Sequence, residues 1–254
     1  MAVKRTHRMV DVDFEKEFHN QIFKDPTSRI NAVGKFYLLQ NAIIEQFQKE
    51  ILEFVKKESS VIEIGCGLDE ILFSDLNGCQ QRCAIDISDF AIEEQKTKAK
   101  KVDIKIDFFV MDAHQTNFKN ESFNLVFGTG ILHHLSLEKV IPELHRILKP
   151  NGKFIFIEPL GINPLIIYFR NKTPDLRTID EKPLRIKDLK LIKSFFSSVK
   201  YSFFDLATLA LPVLFGHKFN KRAIKIFRQF DHLIFSLVPF LKYYSWQVLI
   251  VATK

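Results

Sequence analysis

The chain has 254 residues, 46% of them hydrophobic, with 37 basic and 30 acidic side chains for a net charge of +7. That length suffices for one large α/β domain with a sizeable core, and the apolar content excludes a disordered chain. Three cysteines (Cys66, Cys79, Cys83) make no disulfide framework, and no second Cys or His pair joins Cys79 and Cys83, so no metal site is expected.

Residues 1–30 are polar with scattered aromatics (Phe14, Phe18, Phe23) and read as a short helix or a flexible arm. Apolar residues then recur at helical spacing from Phe36 through Leu39, Ile43, Phe47, Ile51 and Val55, which predicts a helix within 35–57. From there strands and helices alternate. Strands are predicted near 60–64, 82–86, 104–110, 123–127 and 153–158. Helices are predicted at 69–76, stopping at Asn77-Gly78, at 89–100 behind an N-cap at Ser88, and within 136–148. Pro142 should kink the last of these or mark its true start. Near-continuous apolar strands alternating with helices mean a doubly wound, mostly parallel sheet.

The rhythm breaks after Pro159. Residues 159–185 hold four of the nine prolines and many polar groups, a long excursion from the carboxyl edge of the sheet, where such loops serve a site. A helix at 187–196 and a strand at 199–205 restore the pattern. Residues 206–242 form a second excursion, apolar and helical, and a last strand lies within 244–253. The longest mostly apolar stretches, Ala207–Phe215 and Leu233–Leu241, are nine residues each with a proline, too short to cross a bilayer, and the charged start of the chain carries no signal segment. A cytoplasmic location is expected. With no linker and no repeat, residues 1–254 read as one domain: an arm or lid at 1–34, a core at 35–158, and two lids at 159–185 and 206–242.

The first strand ends in Val61-Ile62-Glu63-Ile64-Gly65-Cys66-Gly67, and the second ends at Asp86, 21 positions after Gly65. Glycines after a strand let the backbone approach a ligand closely, and an acid at that distance suits ribose hydroxyls. A dinucleotide fingerprint wants a third glycine three positions after the second; counted from Gly65 that position is Glu70, whose charge would repel a pyrophosphate.

With Ala84-Ile85-Asp86-Ile87-Ser88, Met111-Asp112-Ala113, Phe123–Leu135 and Arg146–Gly152 following in order, the chain resembles the S-adenosylmethionine-dependent methyltransferases with a Rossmann-like seven-stranded sheet, over roughly residues 36–160. The resemblance implies S-adenosyl-L-methionine as cofactor. It places Glu63, Gly65, Cys66 and Gly67 at the methionine moiety, Asp86 on the ribose, Asp112 and Ala113 on the adenine edge, Ile87 and Met111 against the adenine faces, and Gly128 under the reactive centre. The family often has a third glycine two positions past Gly67; here Asp69 stands there, and it could cap a helix or meet the ligand's ammonium group.

His133, His134 and Glu158 are the catalytic candidates, since His is the usual base near neutral pH and Glu158 ends strand five where acceptors dock. Paired His at this point also braces loops in the family. Asn163, Arg170 and Arg177 are candidates for substrate binding, the arginines as grips for a carboxylate or phosphate or as loop-to-loop ion pairs. Base-methylating relatives often carry Asn- or Asp-Pro-Pro-aromatic after strand four; Phe127-Gly128-Thr129-Gly130 stands here, so nucleic acid is not an expected partner. The resemblance points to a small-molecule substrate: a hydroxyl of a partly apolar metabolite, or else an amine or lipid head group. A protein of this fold that binds the cofactor without turnover is the reading from another class. The apolar second excursion beside the basic stretch Lys218–Arg228 could touch an anionic membrane surface. No feature sets an oligomeric state.

Overall fold

In the computed structural model, residues 12–25, 27, 34–36, 38–76, 78–178 and 181–254 are described. Seven strands form one sheet: β1 (Ser60–Ile64), β2 (Gln81–Asp86), β3 (Asp107–Val110), β4 (Phe123–Thr129), β5 (Leu148–Pro159), β6 (Ser198–Phe204) and β7 (Gln247–Thr253). Their spatial order is β3-β2-β1-β4-β5-β7-β6. The first five are mutually parallel, and β7 runs antiparallel between β5 and β6. Chain order reverses between β1 and β4, and the carboxyl ends beside such a switch point are where α/β sheets bind ligands.

Both faces of the sheet are covered. On one face α4 (Leu137–Ile147) and α6 (Ile186–Phe195) bury Val140, Leu144 and Ile192 against Ile62, Ile85, Val126, Phe154 and Ile250. On the other, α2 (Asn41–Phe54) and α3 (Asp89–Lys101) bury Phe47, Ile51 and Ile92 against Val61, Ala84, Leu125, Ile155 and Leu249. Alternate residues of one strand thus feed opposite cores, which is why β1 is buried at every position.

Three elements depart from the periodicity. Helix α4 runs straight through Pro142, starting five residues before it. The missing bond and ring clash cost roughly 3 kcal/mol, but five buried aliphatic side chains on α4, at roughly 1.5–3 kcal/mol each, outweigh that. The helix predicted at 69–76 is only a 3-10 turn, Ile71–Phe73. Side chains take the carbonyls a helix would need: Gln95 donates to Gly67 and Asp69, and Arg82 to Leu72 and Ser74. Asn77, part of its expected stop, lies outside the described residues, as do residues 1–11. Strand β5 begins at Leu148, earlier than expected, with Asn151 at φ 61° in its opening turn.

The arm contains a helix, α1 (Val12–Lys24), tied to the start of α3 by Asn20, which donates to Asp89 and accepts from the Ser88 hydroxyl. The first excursion holds α5 (Pro164–Lys172); the second holds α7 (Ala210–Phe215) and α8 (Lys221–Leu237). Among the described residues no helix is long and apolar enough to cross a membrane.

Candidate active site

A cavity of about 890 Å³ opens at the carboxyl ends of β1, β2 and β4. That is near the top of the usual range for small-molecule sites, about 300–1,000 Å³, and leaves room for two ligands side by side. Gly65, Cys66, Gly67, Asp86, Ile87, Met111, Asp112, Ala113, His133, His134, Arg170 and Arg177 all line it. Of the other residues singled out in the sequence, Glu63, Gly128, Glu158 and Asn163 lie off the wall.

The β1 turn shows why glycine is required. Gly65 and Gly67 have φ of +65° and +45°, and a Cβ on Gly65 would come within 2.6 Å of Ile131. The Gly67 N–H donates to Asp86 Oδ2 at 2.8 Å, and Ser88 N–H to Asp86 Oδ1 at 2.8 Å. Burial pushes the Asp86 carboxyl above its usual range, against the pull of those two donors. Asp112 Oδ1 accepts from the His114 N–H at 2.9 Å and faces His114 Nδ1 at 2.7 Å. His114 Nε2 accepts the Ser136 N–H, so Nδ1 carries the proton and donates to Asp112. That bond holds the Asp112 carboxyl below the usual range. His114 is therefore a brace for Asp112.

Glu63 sits one layer behind the glycine turn, 1% exposed, and its Oε1 has no hydrogen-bond partner among the described residues. Burial, then the nearby Asp69 and Asp86 charges, raise its carboxyl well above the ordinary range. A cationic ligand over the turn would relieve that cluster of acids. The Gly65–Gly67 cradle, the unpartnered Glu63 oxygen and the two carboxylates Asp86 and Asp112 thus fit a nucleoside that carries positive charge. Gly128 belongs to the scaffold: a Cβ there would meet Ile64 O at 2.6 Å.

The other end of the cavity is polar and assembled from distant segments. His133 and His134 lie on a 3-10 turn, Leu132–His134, after β4. Glu158, fully buried, accepts from the N–H groups of Ile131, Leu132 and His133 at 2.9, 2.7 and 3.3 Å. Its Oε2 lies 2.7 Å from His133 Nδ1. Burial pushes Glu158 up to about 7 while the backbone donors pull it down. It reaches the cavity only through His133. Lys182 N–H donates to the His133 carbonyl, which seats Glu181 3.8 Å from His133 Nε2. Arg170 contacts Glu181 at 2.6 Å and Arg177 approaches it at 3.7 Å, so both arginines share one loop carboxylate. Asn163 caps α5 through Oδ1 and donates to the Tyr244 carbonyl, which occupies both ends of its amide.

Sequence reasoning missed Val12, Glu15, His19 and Phe23, which reach the cavity from one face of α1 at spacings of three and four. Phe23 lies over Gly67, 3.1 Å from where its Cβ would stand. The helical spacing was available in the sequence, but which partner it covers was not. Glu181 was missed as well, and its polar loop offers no signal that separates it from its neighbours. Conversely, none of residues 206–242 lines the cavity. The second excursion was expected as its roof; instead α8 docks elsewhere, through buried Asp231, which accepts from Leu206 and Ala207 N–H and the Thr208 hydroxyl.

Residues 62–156 match the family model described as a methyltransferase domain. Residues 62–156 carry a methyltransferase domain of Rossmann-like fold, of the kind that uses S-adenosylmethionine. Its cofactor is S-adenosyl-L-methionine. Among its relatives, the demethylmenaquinone methyltransferase of Lactococcus lactis is 26% identical over 173 residues, 61% of this chain and 69% of that one. The eEF1A lysine and N-terminal methyltransferase of Xenopus laevis is 28% identical over 118 residues, 41% of this chain. This methyltransferase spans only 17% of the Xenopus protein's length. In fold it is similar to geranyl diphosphate C-methyltransferase from Streptomyces coelicolor, solved with Mg2+, geranyl diphosphate and S-adenosyl-L-homocysteine. The TM-score is 0.58 at 12% identity, covering 84% of this chain and 78% of that one.

Proposed function

We propose that this methyltransferase acts in the cytoplasm on a hydroxyl of a small or medium-sized, partly apolar metabolite. When bound, S-adenosylmethionine supplies an electrophilic methyl group on a sulfonium. Gly65, Cys66 and Gly67, with Glu63 behind them, would hold its methionine end, Asp86 the ribose, and Ile87, Met111, Asp112 and Ala113 the adenine. The three unpaired thiols suit a reducing compartment.

The observation that carries the hydroxyl reading is the His133–Glu158 pair. A buried carboxylate beside Nδ1 fixes the proton on that nitrogen and leaves Nε2 as the basic one. His133 lines the cavity, so a hydroxyl lodged there could give its proton to Nε2. Glu158 is a positioning residue, since among the described residues its carboxylate bonds the turn and His133. Phe47, Ile157 and Trp246 on the wall suit an apolar portion of the acceptor. An amine is the second reading, favoured by Glu15 and Glu181, whose carboxylates would draw in an ammonium.

The two separate by proton demand. With a hydroxyl acceptor found by screening metabolite fractions for methyl incorporation, His133→Ala should lower single-turnover methyl transfer about 100-fold or more, the usual worth of a general base. Donor affinity should hold within about threefold. An unslowed variant removes the base and favours an amine arriving neutral.

The outer face of α8 supports a further proposal, contact with an anionic membrane. Ile226, Phe230, Leu233 and Leu237 recur at helical spacing and are 62%, 57%, 52% and 72% exposed. Lys221, Arg222 and Lys225 are exposed beside them. The chain should cosediment with vesicles rich in anionic phospholipid and stay free of zwitterionic ones; Phe230→Glu should release it.

A further inference from the structure

We propose that Glu15, His19 and His134 bind a divalent transition-metal ion on the wall of the cavity. Glu15 and His19 stand one helical turn apart on α1, so their side chains share a face. His134 meets them from the 3-10 turn after β4, its ring edge-on to that of His19 at 5.0 Å. Glu15 Oε2 lies 3.4 Å from His19 Nε2 and 3.3 Å from His134 Nδ1, and the three ligand atoms fall within 4.8 Å of one another.

Those spacings suit an ion better than they suit each other. Neither carboxylate oxygen of Glu15, nor Nδ1 of His134, makes a hydrogen bond among the described residues. Yet Glu15 is 2% and His134 8% exposed, and an unsatisfied polar group that deep costs stability. Two ligand atoms bound tetrahedrally to one ion at about 2.0–2.1 Å lie about 3.3 Å apart. Two imidazoles and one carboxylate favour a borderline ion such as Zn2+ over Mg2+ or Ca2+.

Three protein ligands leave a fourth position open, and all three line the cavity. The ion would therefore do two things. It would fasten α1 over the site, and it would offer a coordination position to an acceptor oxygen, whose proton a Lewis acid loosens. The cysteine spacing gave no hint of this site, because its ligands come from the arm and from the turn after β4.

The test uses full-length, tag-free protein stripped by a chelator and titrated with Co2+. Visible absorption of four-coordinate cobalt should rise to one equivalent and be displaced by Zn2+. Loss of an outer-sphere partner alone costs a metal site about 10–100-fold in affinity. His19→Ala and Glu15→Gln should each weaken cobalt binding by at least about that much. Glu15→Gln nearly keeps the side chain's shape, so it decides the matter if His19→Ala loses its fold by circular dichroism. Absent cobalt bands in folded protein, or binding that both variants leave unchanged, would overturn the proposal.

Discussion

The two ends of the cavity are built differently. At the glycine-turn end each carboxylate is held by backbone or by a braced neighbour a few residues away: Asp86 by Gly67 and Ser88 N–H, Asp112 by His114. At the other end, side chains hold side chains, and His133–Glu158 and Glu15–His134 join segments far apart in sequence. His133 meets Glu158, Glu181 meets Arg170, and Glu15 meets His19 and His134. The first end is a property of strand termini and tolerates little variation in residue type. The second is a property of lids, where the same scaffold can exchange chemistry by changing a few loop residues.

That contrast can be broken by experiment. Glu158→Gln tests the far end most sharply. The amide can donate to Nδ1, which would force the proton onto Nε2 and leave no basic nitrogen facing the cavity. Turnover should fall about 100-fold or more with donor affinity within about threefold, measured by single-turnover kinetics and calorimetry. An equal loss of donor affinity would show that the two ends are one mechanical unit. Asp86→Ala tests the near end. Removing an acceptor of charge-assisted bonds should weaken S-adenosylhomocysteine by about 100-fold. Unchanged calorimetric affinity would refute the ribose assignment. His114→Ala should have the smallest effect, about tenfold on donor affinity, because Asp112 keeps its backbone N–H partner. Its turnover at saturating donor should match the parent's.

The near end was legible because its residues follow strands in order. Apolar runs place β1, β2 and β3, and the sheet then delivers Gly65, Gly67, Asp86 and Asp112 to one edge whatever the lids do. Where local patterning misled, tertiary partners were the reason. Arg82 and Gln95 dissolved the helix expected after Gly67, and buried aliphatics carried α4 across Pro142. Asn163, placed at a substrate by its position, spends its amide on a helix cap and the Tyr244 carbonyl.

Periodicity and turn chemistry gave the doubly wound sheet, the order of its elements and the glycine turn with Asp86, since hydrophobic period and backbone freedom act over a few residues, while the resemblance added Asp112. Only the folded chain decided what faces those acids. That α1 covers the turn, that residues 206–242 stay off the cavity, and that Glu15 meets His134 depend on packing between segments far apart in sequence, and no local pattern encodes such distances.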